Sequence, residues 1–322
     1  MSTLFLSRND VHGLLDMAAT IKAVEQAFKD LAEGKAVMPA KSYLLLDRGD
    51  FRAMPAALPG TAGVKWVNVH LQNQAQGLPT IMAILIYSDP LTGYPLAVMD
   101  ATDITAYRTG AAAAIASKYL ARKGSHTLGI IGAGRQSCTQ LLAHMTLFDL
   151  RLIKVFDLSG AAVKKLMQHF PQYPLHECSL EETSASDIVC TVTPSRMPVL
   201  KREWVVPGTH INAVGADAEG KEELEPSILK KAMVVVDDIR QAVAGGEINV
   251  PVKKGLFRTE DIYATLGEII AGKKQSRKDK KAITVFDSTG LAIEDIAVAR
   301  LVYEKAKNSG SYLSLDFVEK RE

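Results

Sequence analysis

The stretch Thr127-Leu-Gly-Ile-Ile-Gly-Ala-Gly-Arg-Gln-Ser137 constrains this chain more than any other. An apolar run of strand type ends in Gly132-x-Gly134-x-x-Ser137, and a helical pattern carrying Leu141 and Leu142 follows. Strand, glycine turn and helix start, in that order, suit a dinucleotide. Gly132 permits a tight turn, Gly134 lets backbone approach a pyrophosphate, and the N–H groups of the helix N-terminus meet its negative charge. Ser137 replaces the third glycine of the fingerprint, and serine is small enough for close helix–strand packing. A second apolar run over 152–156 ends at Asp157, and an acidic residue at that strand tip accepts hydrogen bonds from an adenosine ribose. Gly-x-Gly by itself also occurs in ordinary β-turn-α connections; the Asp157 spacing separates the two readings.

Strands alternate with helical patterns from about 125 to 290. The candidate strands are 128–131, 153–156, 188–192, 210–214, 234–237 and 283–286, with a Ser179-x-x-Glu182 capping box between the second and third. This alternation implies a doubly wound parallel sheet covered by helices on both faces, an α/β Rossmann unit. The chain before it reads differently. Residues 10–33 have helical spacing through Val11, Leu14, Leu15, Ile21, Val24, Phe28 and Leu31. The period then becomes two over 42–46 and 51–54, which flank the hairpin signal Asp47-Arg-Gly-Asp50. Strands continue over 63–69, 81–87 and 95–99 with no helical pattern between them, so an antiparallel or mixed sheet is expected. Thr102 reads as the N-cap of a helix running through Ala111-Ala-Ala-Ala-Ile-Ala116 to about 120. A last helix over about 292–306 follows Asp287-Ser-Thr-Gly290, and the tail alternates Tyr312, Leu313, Leu315 and Phe317. The expected organisation is a mostly β (α+β) substrate-binding and dimerisation domain over 1–122, rejoined by 302–322, and a nucleotide-binding Rossmann domain over 123–301. A chain of 322 residues suits two domains.

A net charge of +2 gives no sign of a nucleic-acid surface, and the basic run 273–281 reads as a solvated loop. The three cysteines form no even framework, Cys190 reads as a buried thiol, and neither cysteines nor histidines show a metal-ligand spacing. The first residues are too few and too polar for a signal peptide, and no apolar stretch approaches membrane length, so a soluble, cytoplasmic protein is expected.

Lys65 stands out by its face. In Gly63-Val-Lys-Trp-Val-Asn-Val-His70 it shares a side of the strand with Gly63, Val67 and Val69. A lysine there either meets an anionic substrate, has a pKa lowered for proton transfer, or snorkels at a sheet edge. Arg52, on the face of Met54, and Lys41 lie on neighbouring strand candidates, and Arg108 follows on the next helix. If these cations converge they suit a carboxylate ligand; individually they also read as surface charges. Asp217 follows the run His210-Ile-Asn-Ala-Val-Gly-Ala216, at the strand end where open parallel sheets place ligand groups. It reads equally as a loop aspartate capping the next helix.

The motifs Phe51-Arg-Ala-Met-Pro-Ala56, Gly63-Val-Lys-Trp-Val67, Ile104-Thr-Ala-Tyr-Arg-Thr-Gly110, Gly132-Ala-Gly134, Thr191-Val-Thr-Pro194, Ile211-Asn-Ala-Val-Gly-Ala-Asp217 and Phe286-Asp-Ser-Thr-Gly290 occur in this order. Together they resemble the ornithine cyclodeaminase/μ-crystallin family over nearly the whole chain, and within it the archaeal alanine dehydrogenase branch. The resemblance implies nicotinamide-linked chemistry on amino acids through an imine, in a dimer formed by the β domain. It implies a proton-transfer lysine at Lys65, a catalytic aspartate at Asp217, and a carboxylate-binding arginine at Arg108 that also meets the cofactor. It implies further cofactor contacts at Thr80, Arg135, Gln136, Asp157, Thr191, Val214, Lys221 and Ser288, with Thr191 and Thr193 both open for one of them. Two positions depart from the cyclodeaminase pattern. Arg52 stands where ornithine cyclodeaminases carry a glutamate that helps hold the diamino substrate, and Lys41 stands where they carry a substrate-binding arginine.

The expected activity is NAD-dependent oxidative deamination of L-alanine to pyruvate and ammonium. Ornithine cyclodeaminase, a ketimine reductase, and a cofactor-dependent ligand binder of μ-crystallin type are the alternatives. NAD is expected over NADP, because Asp157 repels a 2′-phosphate and neither Leu158 nor Ser159 supplies an arginine for it. The expected partners are a small amino-acid or 2-oxo-acid substrate and a second copy of the chain.

Overall fold

The computed structural model describes residues 2–310, 312–316 and 318. Local signals set most of its element ends. Strand β1 (Thr3–Leu6) leads into α1 (Arg8–Leu14) through a Ser7/Asp10 capping box. Asp16 then starts α2 (Met17–Ala32) by accepting from the Ala19 N–H at 2.7 Å, so the helical spacing over 10–33 resolves into two helices. Strands β2 (Ser42–Leu46), β3 (Gly49–Leu58), β4 (Thr61–Val69), β5 (Ile81–Ser88) and β6 (Pro95–Asp100) follow. A 3₁₀ turn over Leu71–Gln76 separates β4 from β5, in a glutamine-rich stretch with no apolar period. In α3 (Thr102–Leu120) the cap differs from the sequence reading: Asp100 takes the first-turn donors, accepting from the Thr102 N–H and hydroxyl, both at 2.9 Å.

The alternating part supplies β7 (Thr127–Ile131), α4 (Arg135–Leu147), β8 (Leu152–Phe156), α5 (Gly160–His169), β9 (Leu175–Glu177), α6 (Leu180–Ser184), β10 (Ile188–Thr191) and β11 (His210–Ala213). It continues with α7 (Pro226–Leu229), β12 (Met233–Val236), α8 (Ile239–Gly245), α9 (Asn249–Lys253), β13 (Ala264–Thr265), α10 (Leu266–Ile270) and β14 (Thr284–Asp287). Helix α11 (Ala292–Ser309) and β15 (Leu313–Leu315) close the described chain; the Phe317 of the alternating tail lies outside the described residues.

The chain forms two compact units, Met1–Arg108 with Leu291–Glu322, and Thr109–Gly290. The division falls inside α3 and at Leu291, so α11 belongs whole to the first unit. The first point lies inside a helix and carries no loop signal, whereas the second follows Ser288-Thr-Gly290; the sequence-based cut after 122 follows the Gly124-Ser125 break just beyond α3.

Among the described residues the first unit holds a seven-stranded mixed sheet, β15-β1-β6-β5-β4-β3-β2, antiparallel except for the β1–β6 pair. Alternation sorts its residues. Arg52, Met54, Ala56, Lys65, Val67, Ala83, Leu85 and Tyr87 are buried, and α11 packs against β3, β4, β5 and α2. Trp66, Met82, Ile84 and Ile86 on the other face are exposed, as is Leu44 of β2.

The second unit holds an eight-stranded parallel sheet, β13-β12-β14-β11-β10-β7-β8-β9. The order reverses beside β7, the doubly wound arrangement expected from the alternation, and ligands bind such sheets at the strand C-termini beside that reversal. One core takes Val189, Ile211, Val234 and Val285, and the other takes Leu128, Ile130, Ile153 and Cys190. The short edge strands β9 and β13 add to the six strands read from the sequence. A buried polar chain crosses this unit. Asn212 Nδ2 donates to Ser117 Oγ at 2.9 Å, and Ser117 Oγ lies 2.9 Å from His144 Nε2. Burial pushes the His144 pKa down to about 4 and that of His210 to about 3, so both rings are neutral near pH 7. The basic loop 273–281 is not simply solvated. Arg277 donates to the Leu120 carbonyl at 2.6 Å, the Thr209 carbonyl at 3.1 Å and Thr284 Oγ1 at 2.9 Å, which pins the loop to the sheet. Among the described residues no helix is long and apolar enough to cross a membrane.

Candidate active site

In the first unit the inner sheet face gathers cations. Lys65 is 1% exposed, its Nζ lies 2.7 Å from Asp295 Oδ2, and it donates to Thr105 Oγ1 at 3.3 Å. The Asp295 oxygen has no aligned hydrogen bond, so its contact with Lys65 is chiefly one of charge. Burial pulls the Lys65 pKa down to about 7; the Asp295 carboxylate opposes this, and the Arg108 and Lys41 charges reinforce it. A group with that pKa is substantially present in both protonation states at neutral pH, as proton transfer requires.

Arg108 ends the first unit's share of α3. Its Nη1 lies 3.2 Å from Glu294 Oε2 and its Nε 3.2 Å from Asp295 Oδ1, both carboxylates being fully buried. Arg52 is buried on β3, its Nε 2.7 Å from Asp50 Oδ1 and its guanidinium 5.4 Å from the centre of the Tyr43 ring. In the β3–β4 register Arg52 faces Val67 and Met54 faces Lys65, so Arg52 and Lys65 are diagonal neighbours on one face. Lys41 is half-buried just before β2, and Thr80 is half-buried just before β5, its carbonyl accepting from the His70 N–H at 2.9 Å. Lys65, Arg108, Lys41 and Arg52 thus share one side of this unit. Glu294 and Asp295, which hold two of them, went unread in the sequence. The available signal was their setting, acids between Ile293 and Ile296 in a helix buried over most of its first turns.

In the second unit the glycine turn has the geometry that a pyrophosphate needs. Gly132 has φ +105°, and a Cβ there would lie 3.0 Å from the Val192 carbonyl oxygen. Gly134 has φ −79° and is the N-cap of α4, which no side chain caps; a Cβ at Gly134 would meet nothing within 4 Å. The exposed Gly134 and Arg135 and the half-buried Gln136 therefore begin a helix whose N-terminus is open to an anion. Asp157 follows β8, and its carboxylate accepts from the Ala133 N–H at 2.7 Å and the Ser159 N–H at 2.8 Å. A carboxylate has about four acceptor positions, so capacity remains for ribose hydroxyls. These residues fit a dinucleotide.

The other strand ends lie alongside. Thr191 closes β10, buried, with its hydroxyl donating to Glu223 Oε2 at 2.7 Å; the Thr193 hydroxyl and N–H donate to Glu223 Oε1 at 2.8 and 2.7 Å. The Gly215 N–H donates to Glu223 Oε2 at 2.8 Å, so one carboxylate ties the loops after β10 and β11. Burial pushes the Glu223 pKa up, against these donors. Val214 is buried after β11, and Ser288, buried after β14, donates its N–H to the Ala213 carbonyl at 3.0 Å. Asp217 is half-buried in the loop after β11, with Lys221 Nζ 2.5 Å from its Oδ1. It caps no helix: α7 begins at Pro226. Among the described residues no group of three or more His, Cys, Asp or Glu side chains is placed to hold a metal ion.

The sequence profile of the ornithine cyclodeaminase/mu-crystallin family matches residues 1–310. The chain belongs to this family. It is 53% identical over 315 residues to the alanine dehydrogenase of Archaeoglobus fulgidus, covering 97% of this chain and 98% of that protein. A solved archaeal alanine dehydrogenase dimer with bound NAD matches at a TM-score of 0.97 and 51% identity, over 99% of this chain and 100% of that one. The Δ(1)-pyrroline-2-carboxylate reductase of Thermococcus litoralis, in complex with NADH and L-proline, matches at 0.93 and 38%, over 97% and 100%. Membership in the ornithine cyclodeaminase/mu-crystallin family thus accounts for the order of motifs and for both sheets, while the relatives themselves differ in the substrates they are named for.

Proposed function

We propose that this chain is an NAD-dependent L-alanine dehydrogenase that forms pyruvate and ammonium reversibly, with the first unit as its substrate and dimerisation domain and the second as its NAD-binding domain. The observation that carries the choice of substrate is Arg52, a buried cation on the sheet face of Lys65 where ornithine cyclodeaminases carry glutamate. The similarity to archaeal alanine dehydrogenases supports the same reading.

Each group has a task in this scheme. Arg108 and Lys41 bind the substrate carboxylate, Arg108 by paired donors, and Arg52 lines the pocket where the substrate side chain ends. NAD, when bound, accepts hydride from the substrate α-carbon. Lys65 takes a proton from the water that adds to the resulting iminium and returns one to the departing amine, a role its pKa of about 7 allows. Asp217, oriented by Lys221, is the second acid–base group. Gly132, Gly134, Arg135 and Gln136 hold the pyrophosphate end, and Asp157 the adenosine ribose. Thr80, Arg108, Thr191, Val214, Lys221 and Ser288 complete the cofactor contacts.

The distal ammonium of ornithine would meet Arg52. At about 5 Å and an effective dielectric constant of about 20, two like charges repel by roughly 3 kcal/mol. Asp50, paired with Arg52, offsets part of this, and that carboxylate is the feature favouring a diamino substrate as the second reading. Alanine is therefore expected to be turned over faster than ornithine, with Arg52→Glu narrowing or reversing the ratio. NAD is expected to outperform NADP by at least about tenfold, because the Asp157 carboxylate repels the 2′-phosphate. Rates measured side by side at the reduced-nicotinamide absorbance test both points. An ornithine preference in the parent that Arg52→Glu abolishes would replace this reading with cyclodeamination, and equal efficiency with NADP would remove Asp157 from cofactor choice. A ligand binder of μ-crystallin type would turn over neither substrate.

The outer sheet face of the first unit leaves Trp66, Met82, Ile84 and Ile86 exposed, an apolar patch of the kind that marks an interaction surface. Phe51 stacks on Trp66 there, with ring centroids 5.2 Å apart. A second copy across a twofold axis is the proposed cover. Light scattering is expected to give a dimer at micromolar concentration, and Ile84→Lys with Ile86→Lys to give a monomer, since a twofold interface would bury four uncompensated cations. A monomeric parent would contradict the dimer.

A further inference from the structure

The cations of the first unit are not arranged independently. Asp295, 0% exposed at the start of α11, has Oδ2 2.7 Å from Lys65 Nζ and Oδ1 3.2 Å from Arg108 Nε. We propose that Asp295 is the positioning residue of this pair: one buried carboxylate holds the proton-transfer lysine with one oxygen and the carboxylate-binding arginine with the other. It thereby fixes the separation of the two cations that a substrate meets and supplies the counter-charge that keeps Lys65 able to hold a proton. The proposal rests on the roles given to Lys65 and Arg108 above and assigns Asp295 no contact with substrate.

The charged surroundings favour this assignment. Helix α11 brings Asp295 and Glu294, α3 brings Arg108, β3 brings Arg52 with its partner Asp50, and the segment before β2 brings Lys41. In the strand registers Lys65 faces Met54 and Leu85, which carry no charge. Glu294 touches Arg108, whereas Asp295 touches both cations. A buried lysine beside an arginine and a second lysine releases its proton readily, and Asp295 is the anion that opposes the release. Thr105, which accepts from Lys65 at 3.3 Å, supplies a dipole but no charge.

The test follows Lys65 itself. In the parent chain the 13Cε resonance of Lys65, assigned by its loss in Lys65→Met, should titrate near neutral pH, and the acid limb of kcat/KM should follow it. Asp295→Asn keeps the shape and removes the charge; both midpoints are expected to move to lower pH by about one unit. Asp295→Glu should restore the midpoint while kcat stays reduced, because the longer side chain changes the spacing. Arg108→Gln should move the resonance midpoint to higher pH, since it removes a cation that lowers the Lys65 pKa and leaves Asp295 to Lys65 alone. A merely structural Asp295 gives a different outcome: activity lost evenly across pH with the Lys65 midpoint unmoved, which would overturn the proposal. Should Asp295→Asn fail to fold, Asp295→Glu decides: a kcat equal to the parent's despite the longer side chain would overturn the proposal. The resonance is read without substrate, so the result stands apart from whether alanine is the substrate.

Discussion

Lys65→Ala is expected to lower alanine-dependent NADH formation by about a thousandfold while the protein folds and binds NADH as the parent does. General acid–base groups contribute about 10²–10⁴ in rate, and Lys65 would act in both water addition and ammonia loss, so a value inside that range is expected. Folding should survive at reduced stability, because Asp295 loses its Lys65 partner but keeps Arg108. In the parent, Arg108 Nε lies 3.2 Å from Asp295 Oδ1, a contact that does not involve Lys65. NADH titration by fluorescence and steady-state turnover on the same preparation separate the two effects. A folded, NADH-binding variant with full turnover would remove Lys65 from the mechanism.

Gly134→Val is expected to do the converse. At φ −79° any L-residue fits, and a Cβ there meets nothing within 4 Å, so the fold should lose little. Valine is a poor N-cap, which costs about 1 kcal/mol and lowers Tm by roughly 2–4 °C. The new side chain would stand at the proposed pyrophosphate position, so NADH affinity is expected to fall by at least about a hundredfold, or about 2.7 kcal/mol. Calorimetric titration with NADH and a thermal melt make the comparison. Unchanged NADH affinity would place the pyrophosphate elsewhere. The same change at Gly132 would be a poorer probe, since φ +105° and the nearby Val192 carbonyl would strain the fold as well.

The contrast between these glycines shows what a sequence carries and what it leaves out. Strand-turn-helix periodicity, the Gly132 turn and the spacing to Asp157 are local, and the parallel sheet has them where the sequence indicated. The inward face of Lys65 and Arg52 was legible because a strand alternates with period two. The break between α1 and α2 was harder to see, since apolar residues continue through Leu14 and Leu15 while the cap at Asp16 decides the start. Partners distant in the chain were not legible at all. Arg277 reads as one charge of a basic run and instead reaches carbonyls of Leu120 and Thr209. Asp295 reads as an ordinary acid in a helix's first turn, and its ion pair with Lys65 spans most of the chain. Glu223 lies among Glu222 and Glu225, and only the fold shows which of the three receives Thr191, Thr193 and Gly215.

The central claim is that substrate oxidation leaves net reduced cofactor, and a stoichiometric assay tests it most directly. With L-alanine and NAD, NADH absorbance and ammonium release are measured on the same sample. The account predicts NADH and ammonium appearing mole for mole, with pyruvate as the third product. Ammonium released from ornithine without net NADH, and none from alanine, would contradict it.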